Sequence, residues 1–511
     1  MKRPDSLFEL IHCLGNNEKR YISIALQGED KECIKLYNAI KKQKQYNEKR
    51  LLSVLKKPPI THFRAVKQYV HKLVLKNMRA YRADVSVQMQ LRTLLIDLQF
   101  LLKKGLYIQT EKLIAKAKKL SLKYEEHSIL LELLHLERTL MKRTAYEGKT
   151  TKQLESNFKQ TFKGIATYKQ IQEYDLLASR LFLELKKEGN RVSGAMSTKA
   201  IVLQQKMLAR DETTLPYHAR IHLYSYYLAN ANKEAMGLPA AYEYAHKQVS
   251  LLEEYPHLIE EEEGARLYAI SAFNLLLFQL RYKKYEEMQL TIKKFQNVSV
   301  ASKTLSNELF YISHSMELTL YITQGLFNDA VGVAQTMEQE LEQNPQIRLS
   351  KEKEMILYYE FCNAYFGAGL FNKAKVYLNK VLQENVDVRS DIQCFAHLLN
   401  IVIHFELGNE TLLKYLVKTT YKFLYKRKRL YKFETIVLAF IKVQLTKKHT
   451  QAEILFLFED LKKELETLIK DPFEKRILDY FDFLSWIESK TEHIPFASII
   501  QHKFNMLQAN N

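Results

Sequence analysis

The sequence predicts an all-α protein of stacked helical hairpins with a small basic helical head. Three observations carry this expectation. Proline and glycine number only 9 and 14 in 511 residues, too few for a chain rich in tight turns and strand ends. Apolar residues return at spacings of three and four rather than in strict alternation, which is helical periodicity. A chain of this length also exceeds what one hydrophobic core encloses, so it divides into domains or stacks repeats.

Composition narrows the class further. Apolar residues make up 47% and charged residues 26%, a globular rather than a disordered balance. Cys13, Cys33, Cys362 and Cys394 are scattered without any C-x-x-C pair, which suggests neither a disulfide framework nor a zinc knuckle. After Met1-Lys2-Arg3 the chain runs Pro4-Asp5-Ser6-Leu7-Phe8-Glu9, with no apolar run of the kind a signal peptide needs. Apolar stretches such as Ile401 to Phe405 fall far short of the about 18 residues required to span a bilayer. A reduced, cytoplasmic protein without a membrane span is expected.

The net charge of +19 is uneven. Residues 1–123 hold 27 Lys and Arg against 10 Asp and Glu, and residues 414–448 hold 11 against 1. The remainder of the chain is mildly acidic. Basic surfaces of this kind attract phosphate backbones or acidic protein segments, although lysine-rich helix faces also serve solubility alone. Aromatic residues stand among the charges from Tyr421 to Phe433, and their spacing also suits a helix core face.

Taken in order, the head comprises five short elements. Ser6-Leu7-Phe8-Glu9 has capping-box form and opens the first helix, which ends at Gly15. A second helix covers Glu18 to Leu26, a third Asp30 to Lys44, and a fourth Asn47 to Leu55, where Pro58-Pro59 stops it. Thr61 is placed to cap the fifth, with Val66, Tyr69, Val70, Leu73 and Val74 on one side. The expected domains are 1–84, 85–430 and 431–511: a basic head, an array of hairpins, and helices that cap the array.

Longer helices then pair: 85–103 with 107–123, 127–142 with 151–168, 171–187 with 197–210, and 217–230 with 237–254. Pairs 261–280 with 284–296, 303–323 with 327–343, 351–367 with 371–384 and 390–406 with 409–426 follow. Glu188 to Gly194 reads as a loop. Helices near 431–445, 450–469, 473–488 and 496–506 finish the chain, with Asp471 capping and Pro472 at the first helical position.

The segment from Tyr358 to Val381 resembles the tetratricopeptide (TPR) repeat. Tyr358 stands at the family's opening aromatic position, with Phe361, Cys362 and Tyr365 along the first helix. Gly369 and Phe371 lie at the turn, and Ala374, Leu378 and Val381 lie on the second helix. Ala374 is small where two antiparallel helices cross, and Gly369 permits the positive-φ end of the first helix. A second copy has Tyr321, Gly325, Phe327, Ala330, Ala334 and Met337. Gly325 precedes Gly369 by 44 residues and Gly408 follows 39 later, a longer period than the family's about 34. Looser copies turn at Gly408, with Leu413 for the alanine, and at Gly105, with Thr110 at the close contact. An irregular helical array without a true repeat is the competing reading. The basic head opening with Glu18-Lys19-Arg20-Tyr21, followed by long degenerate repeats, resembles bacterial TPR-containing proteins, which include peptide-responsive regulators and assembly scaffolds. The resemblance implies an α/α superhelix with a concave groove for peptides or partner proteins.

Catalytic motifs are missing. No phosphate loop, dinucleotide fingerprint or G-x-S-x-G elbow occurs. His218 and His222 form a helical i,i+4 pair, but Ala219 follows His218 where a zinc peptidase has its Glu, and no third ligand is identifiable. Glu260 to Glu263 suits an acidic helix start. The expectation is a non-catalytic protein- or peptide-binding scaffold without cofactor or metal. Tyr321, Tyr359 and Asn363 are its candidate groove residues, on the first helices of two repeats. The alternative is a nucleic-acid-associated regulator that contacts phosphate through the head and through 414–448, with Lys426, Arg427, Lys428 and Arg429 as its basic patch. A degenerate helix-turn-helix in the head lacks the expected short turn and polar reading face.

Overall fold

The structure, a computed structural model, describes residues 5–56, 58–83, 86–188, 205, 208–230, 237–300, 302–344, 347, 349–384, 389–445 and 450–509. Among the described residues all regular structure is helical. The chain forms two compact units. One holds Met1–Asn230 with Glu254–Gly264, and the other holds Ala231–Glu253 with Ala265–Asn511.

In chain order the helices are α1 (Ser6–Cys13), α2 (Asn16–Ala25), α3 (Lys31–Lys42), α4 (Glu48–Val54) and α5 (Ile60–Arg82). Next come α6 (Val87–Lys103), α7 (Tyr107–Lys123), α8 (His127–Arg143), α9 (Thr151–Glu188) and α10 (Tyr217–Asn230). These are followed by α11 (Gly237–Glu253), α12 (Pro256–Ile259), α13 (Glu262–Arg281), α14 (Tyr285–Asn297), α15 (Lys303–Gln324) and α16 (Phe327–Gln343). Then α17 (Lys351–Gly367), α18 (Phe371–Leu382), α19 (Ser390–Glu406), α20 (Glu410–Lys426) and α21 (Lys432–Gln444) run on to α22 (Gln451–Leu468), α23 (Pro472–Lys475), α24 (Phe483–Thr491) and α25 (Phe496–Ala509).

The head has its own core, in which Leu7, Ile11, Ile22, Leu36, Tyr37, Phe63 and Val70 are buried together. Its caps differ from the sequence reading in two places. Asp5, not Ser6, caps α1, because its carboxylate reaches the free amides of Leu7 and Phe8. Thr61 lies inside α5, which opens at Ile60 behind Pro59 without a side-chain cap. Asn47 caps α4 through the Arg50 amide, and Lys67 ties α5 to Asp5 and Tyr46.

The expected helices 151–168 and 171–187 are one continuous helix, α9. Neither glycine nor proline lies at 169–170 to end the first, and Ile171, Tyr174, Leu177, Ala178 and Leu181 stay buried along the continuation. The partner expected at 197–210 and the loop at 188–194 fall largely outside the described residues.

One turn recurs through the hairpins. At Gly105, Gly325, Gly369 and Gly408 φ lies between 68° and 74°. In each case the glycine amide and the next amide close back onto the preceding helix, as in Gly369 to Phe366 and Leu370 to Tyr365. Glu125, Lys283 and Lys428 make the same closure with φ of 56° and no glycine. Ala330 and Ala374 are fully buried at their helix crossings. At the equivalent position Thr110 is also buried, its hydroxyl tied to the Leu106 carbonyl. Gly367 serves packing instead: a Cβ there would lie 2.0 Å from the Phe327 ring.

In the second unit α15 and α16 pair, as do α17 with α18 and α19 with α20. The first helices α15, α17 and α19 also touch in sequence and form one layer. The expected helix 473–488 is broken. Asp471 caps α23 as expected, accepting from the Phe473 amide. Then Asn363 takes the Tyr480 carbonyl and Asp482 starts α24 by accepting from the Ser485 amide.

Candidate functional site

The layer of first helices in the second unit carries the candidate groove residues, and the segment 480–504 lies against it. Asn363 donates from Nδ2 to the Tyr480 carbonyl at 3.1 Å. The Tyr480 hydroxyl donates to Asp391 at 2.7 Å, and its ring lies 3.8 Å from that of Phe395. Further along, Trp486 Nε1 and Lys490 Nζ donate to the two oxygens of Glu406, each at 2.6 Å. Gln501 donates to the Gly325 carbonyl at 3.0 Å.

Apolar anchors fill the space between these bonds. Phe481 and Phe496 stack within 5.7 Å of each other, and both meet Phe366 edge-on. Phe496 also reaches Phe327, and Phe504 reaches Tyr285. A cavity of about 510 Å³ remains beside this junction, lined in part by Phe327, Phe366, Glu406, Trp486, Lys490 and Phe496.

The candidate groove residues Tyr321, Tyr359 and Asn363 take different places in this arrangement. Tyr359 is 5% exposed; burial pushes its phenol well above the ordinary range. Asn363 is held beneath Tyr480, and Tyr321 on α15 is half-buried. Tyr358 and Tyr365 serve the hairpin itself. Tyr365 stacks on Tyr377 at 5.4 Å and 4°, and Tyr358 lies 6.2 Å from the same ring. Lys380 sits over both Tyr358 and Tyr377.

Charge in this layer is unevenly placed. Burial opposes ionisation of Asp391, but hydrogen bonds from Arg389 and Tyr480 outweigh it and hold the carboxyl down at about 2. Glu360 is in the opposite position. Burial dominates there, the Ser315 and Thr319 hydroxyls only partly offset it, and its carboxyl is pushed up to about 7. No sequence signal marked Asp391, Glu406 or Glu360: Arg389 is a sequence neighbour of Asp391, but Tyr480, Trp486 and Ser315 lie more than 40 positions from the carboxylates they meet.

The basic patch lies elsewhere, at the turn after α20. Lys428 takes the positive-φ position. The Arg427 guanidinium lies 4.6 Å from the centre of the Phe423 ring, which in turn lies tilted against His397 at 4.0 Å. Burial and then Arg427 hold His397 down at about 4. Lys426, Lys428 and Arg429 are exposed. Lys447 and Lys448 lie outside the described residues.

In the first unit, burial lowers both His218, to about 4, and His222, so both rings are neutral near pH 7. Asp175 stands 3.7 Å from His222. Among the described residues no group of three His, Cys, Asp or Glu side chains could hold a metal ion. Among them, too, no helix is long and apolar enough to cross a membrane. No protein-family model, curated protein or solved structure matches the chain.

Proposed function

We propose that the chain is a non-catalytic scaffold of TPR-like hairpins that binds a peptide segment of a partner protein on the layer formed by α15, α17 and α19. The observation that supports this reading is the mode in which residues 480–501 lie on that layer. An irregular stretch and two short helices present aromatic anchors, and side chains of the layer capture a backbone carbonyl and an indole N–H. Peptide recognition uses the same elements: few apolar anchors set in pockets, with polar contacts fixing the register. The chain's own segment then competes with the partner for the layer.

The test uses the full chain with Phe481→Ala and Phe496→Ala, which removes two anchors, and a photo-crosslinking residue at Tyr321. In cells the loosened variant is expected to form protein adducts that the parent chain forms weakly. A synthetic peptide of residues 477–504 should suppress those adducts in lysate. Adducts confined to the chain's own segment, or adducts indifferent to the peptide, would refute the reading.

A further inference from the structure

We propose that the outward face of α20 and the turn after it form a binding site for single-stranded nucleic acid. The face has two components. Lys414, Lys418, Lys422 and Lys426 follow one another at intervals of four, so they form a single ridge with about 6 Å of axial rise between neighbours. All four are exposed, as is Lys428, and among the described residues none of the five makes an ion pair. The acidic residues nearest in sequence do not neutralise this ridge. Glu410, four residues before Lys414, faces only the first lysine of the row, and Glu434 is 6% exposed.

The second component is aromatic. Tyr421 and Tyr425 flank the ridge with rings parallel within 7° and centroids 6.3 Å apart. They are 46% and 70% exposed, and Tyr415 on the other flank is 64% exposed. Phenol rings of a helix normally turn toward the core, as Tyr359, Tyr365 and Tyr377 do. Here the core positions of the same helix are filled by Leu413, Val417, Thr420 and Leu424, which leaves the tyrosines facing out. A shallow depression of about 650 Å³ is lined by Tyr421, Tyr425, Lys426, Lys428 and Leu430.

A row of free cations beside paired ring faces matches the chemistry of an unpaired strand. The lysines meet successive phosphates, and the rings stack on bases that a duplex would keep hidden. Lysine supplies point charges without the bidentate fork of arginine, so the site reads no sequence. Arg427 takes no part, being stacked on Phe423.

Anisotropy of a short labelled oligouridylate titrated with the full chain tests the site. Binding at low salt should weaken with a log–log slope of about −3, as expected for four lysine contacts on a single strand. Tyr421→Ala with Tyr425→Ala should cost about ten-fold or more in affinity, whereas Tyr421→Phe with Tyr425→Phe should retain it. Lys418→Glu with Lys422→Glu should abolish binding and leave the helical circular dichroism unchanged. The proposal is overturned if no binding occurs at low salt, or if a duplex of equal length binds as tightly. It is equally overturned if the alanine pair binds like the parent, which indicates plain polyanion attraction. Binding to phosphatidylglycerol vesicles in place of the oligonucleotide would assign the face to a membrane instead.

Discussion

Two faces of the second unit both set aromatic rings beside charged side chains and have opposite fates. The layer of α15, α17 and α19 presents Asn363, Asp391, Phe395 and Glu406, and residues 480–501 contact every one of them. The α20 face presents tyrosines and lysines, and among the described residues these lysines have no ion-pair partner. Aromatic and polar composition therefore does not mark a docking surface. What separates the two is whether the fold delivers a complementary segment, and that depends on contacts between residues far apart in the chain.

The contrast makes the covered layer the place where substitutions should destabilise. Trp486 is 1% exposed and bonded to Glu406, so Trp486→Ala should cost about 3–5 kcal/mol. Urea unfolding followed by circular dichroism would read it as a lower midpoint. Glu406→Ala strips the indole N–H of its buried acceptor and Lys490 of its counter-charge, for about 1–3 kcal/mol. Because the chain has one tryptophan, acrylamide quenching of Trp486 in that variant should report a looser segment directly.

A smaller effect concerns pH. The Glu360 carboxyl titrates at about 7 in the folded chain against an ordinary 4.5, so folding favours its protonated form. That contribution is fully present below pH 4.5 and is lost as pH rises toward 7. Glu360→Gln should therefore stabilise the chain by on the order of 1–2 kcal/mol at pH 8 and by almost nothing at pH 4.5. A pH-independent difference between variant and parent would show that another group controls the slope. Smallest of all, Tyr421→Ser with Tyr425→Ser should move stability by no more than about 0.5 kcal/mol, because exposed side chains away from special features contribute little. A larger loss by the same urea assay would mean that the α20 face is covered after all.

The hairpins were legible because local rules decide them. The bounds of α16 and α17 coincide with the expected ones, since Gly325 and Gly369 stand at the turns and Ser350 caps α17. The turns at Glu125, Lys283 and Lys428 use the same backbone without the glycine that ordinarily signals it. The expected helices 151–168 and 171–187 form one helix, because no helix-stopping residue lies between them. The candidate groove was only half legible. Spacing placed Tyr359 and Asn363 on the first helix, but nothing near them in the chain announces Tyr480, 117 residues beyond Asn363. Within the basic region 414–448 the charge run draws attention to Lys426–Arg429, while the exposed tyrosines flank a lysine ridge that begins at Lys414, about three turns earlier.

Residues 480–501 also bear on the order in which the chain can fold. Stacked hairpins ordinarily need only their neighbours, so each can settle as soon as the next has been synthesised. Here the carbonyl at Gly325 waits for Gln501, which leaves the ribosome 176 residues later. At about 5–20 residues per second, that carbonyl waits for roughly 10 seconds or more, and the aromatic faces of α17 and α19, synthesised later, for a shorter time. The nascent protein therefore carries an exposed aromatic layer from the synthesis of α17 and α19 until residues 480–501 arrive.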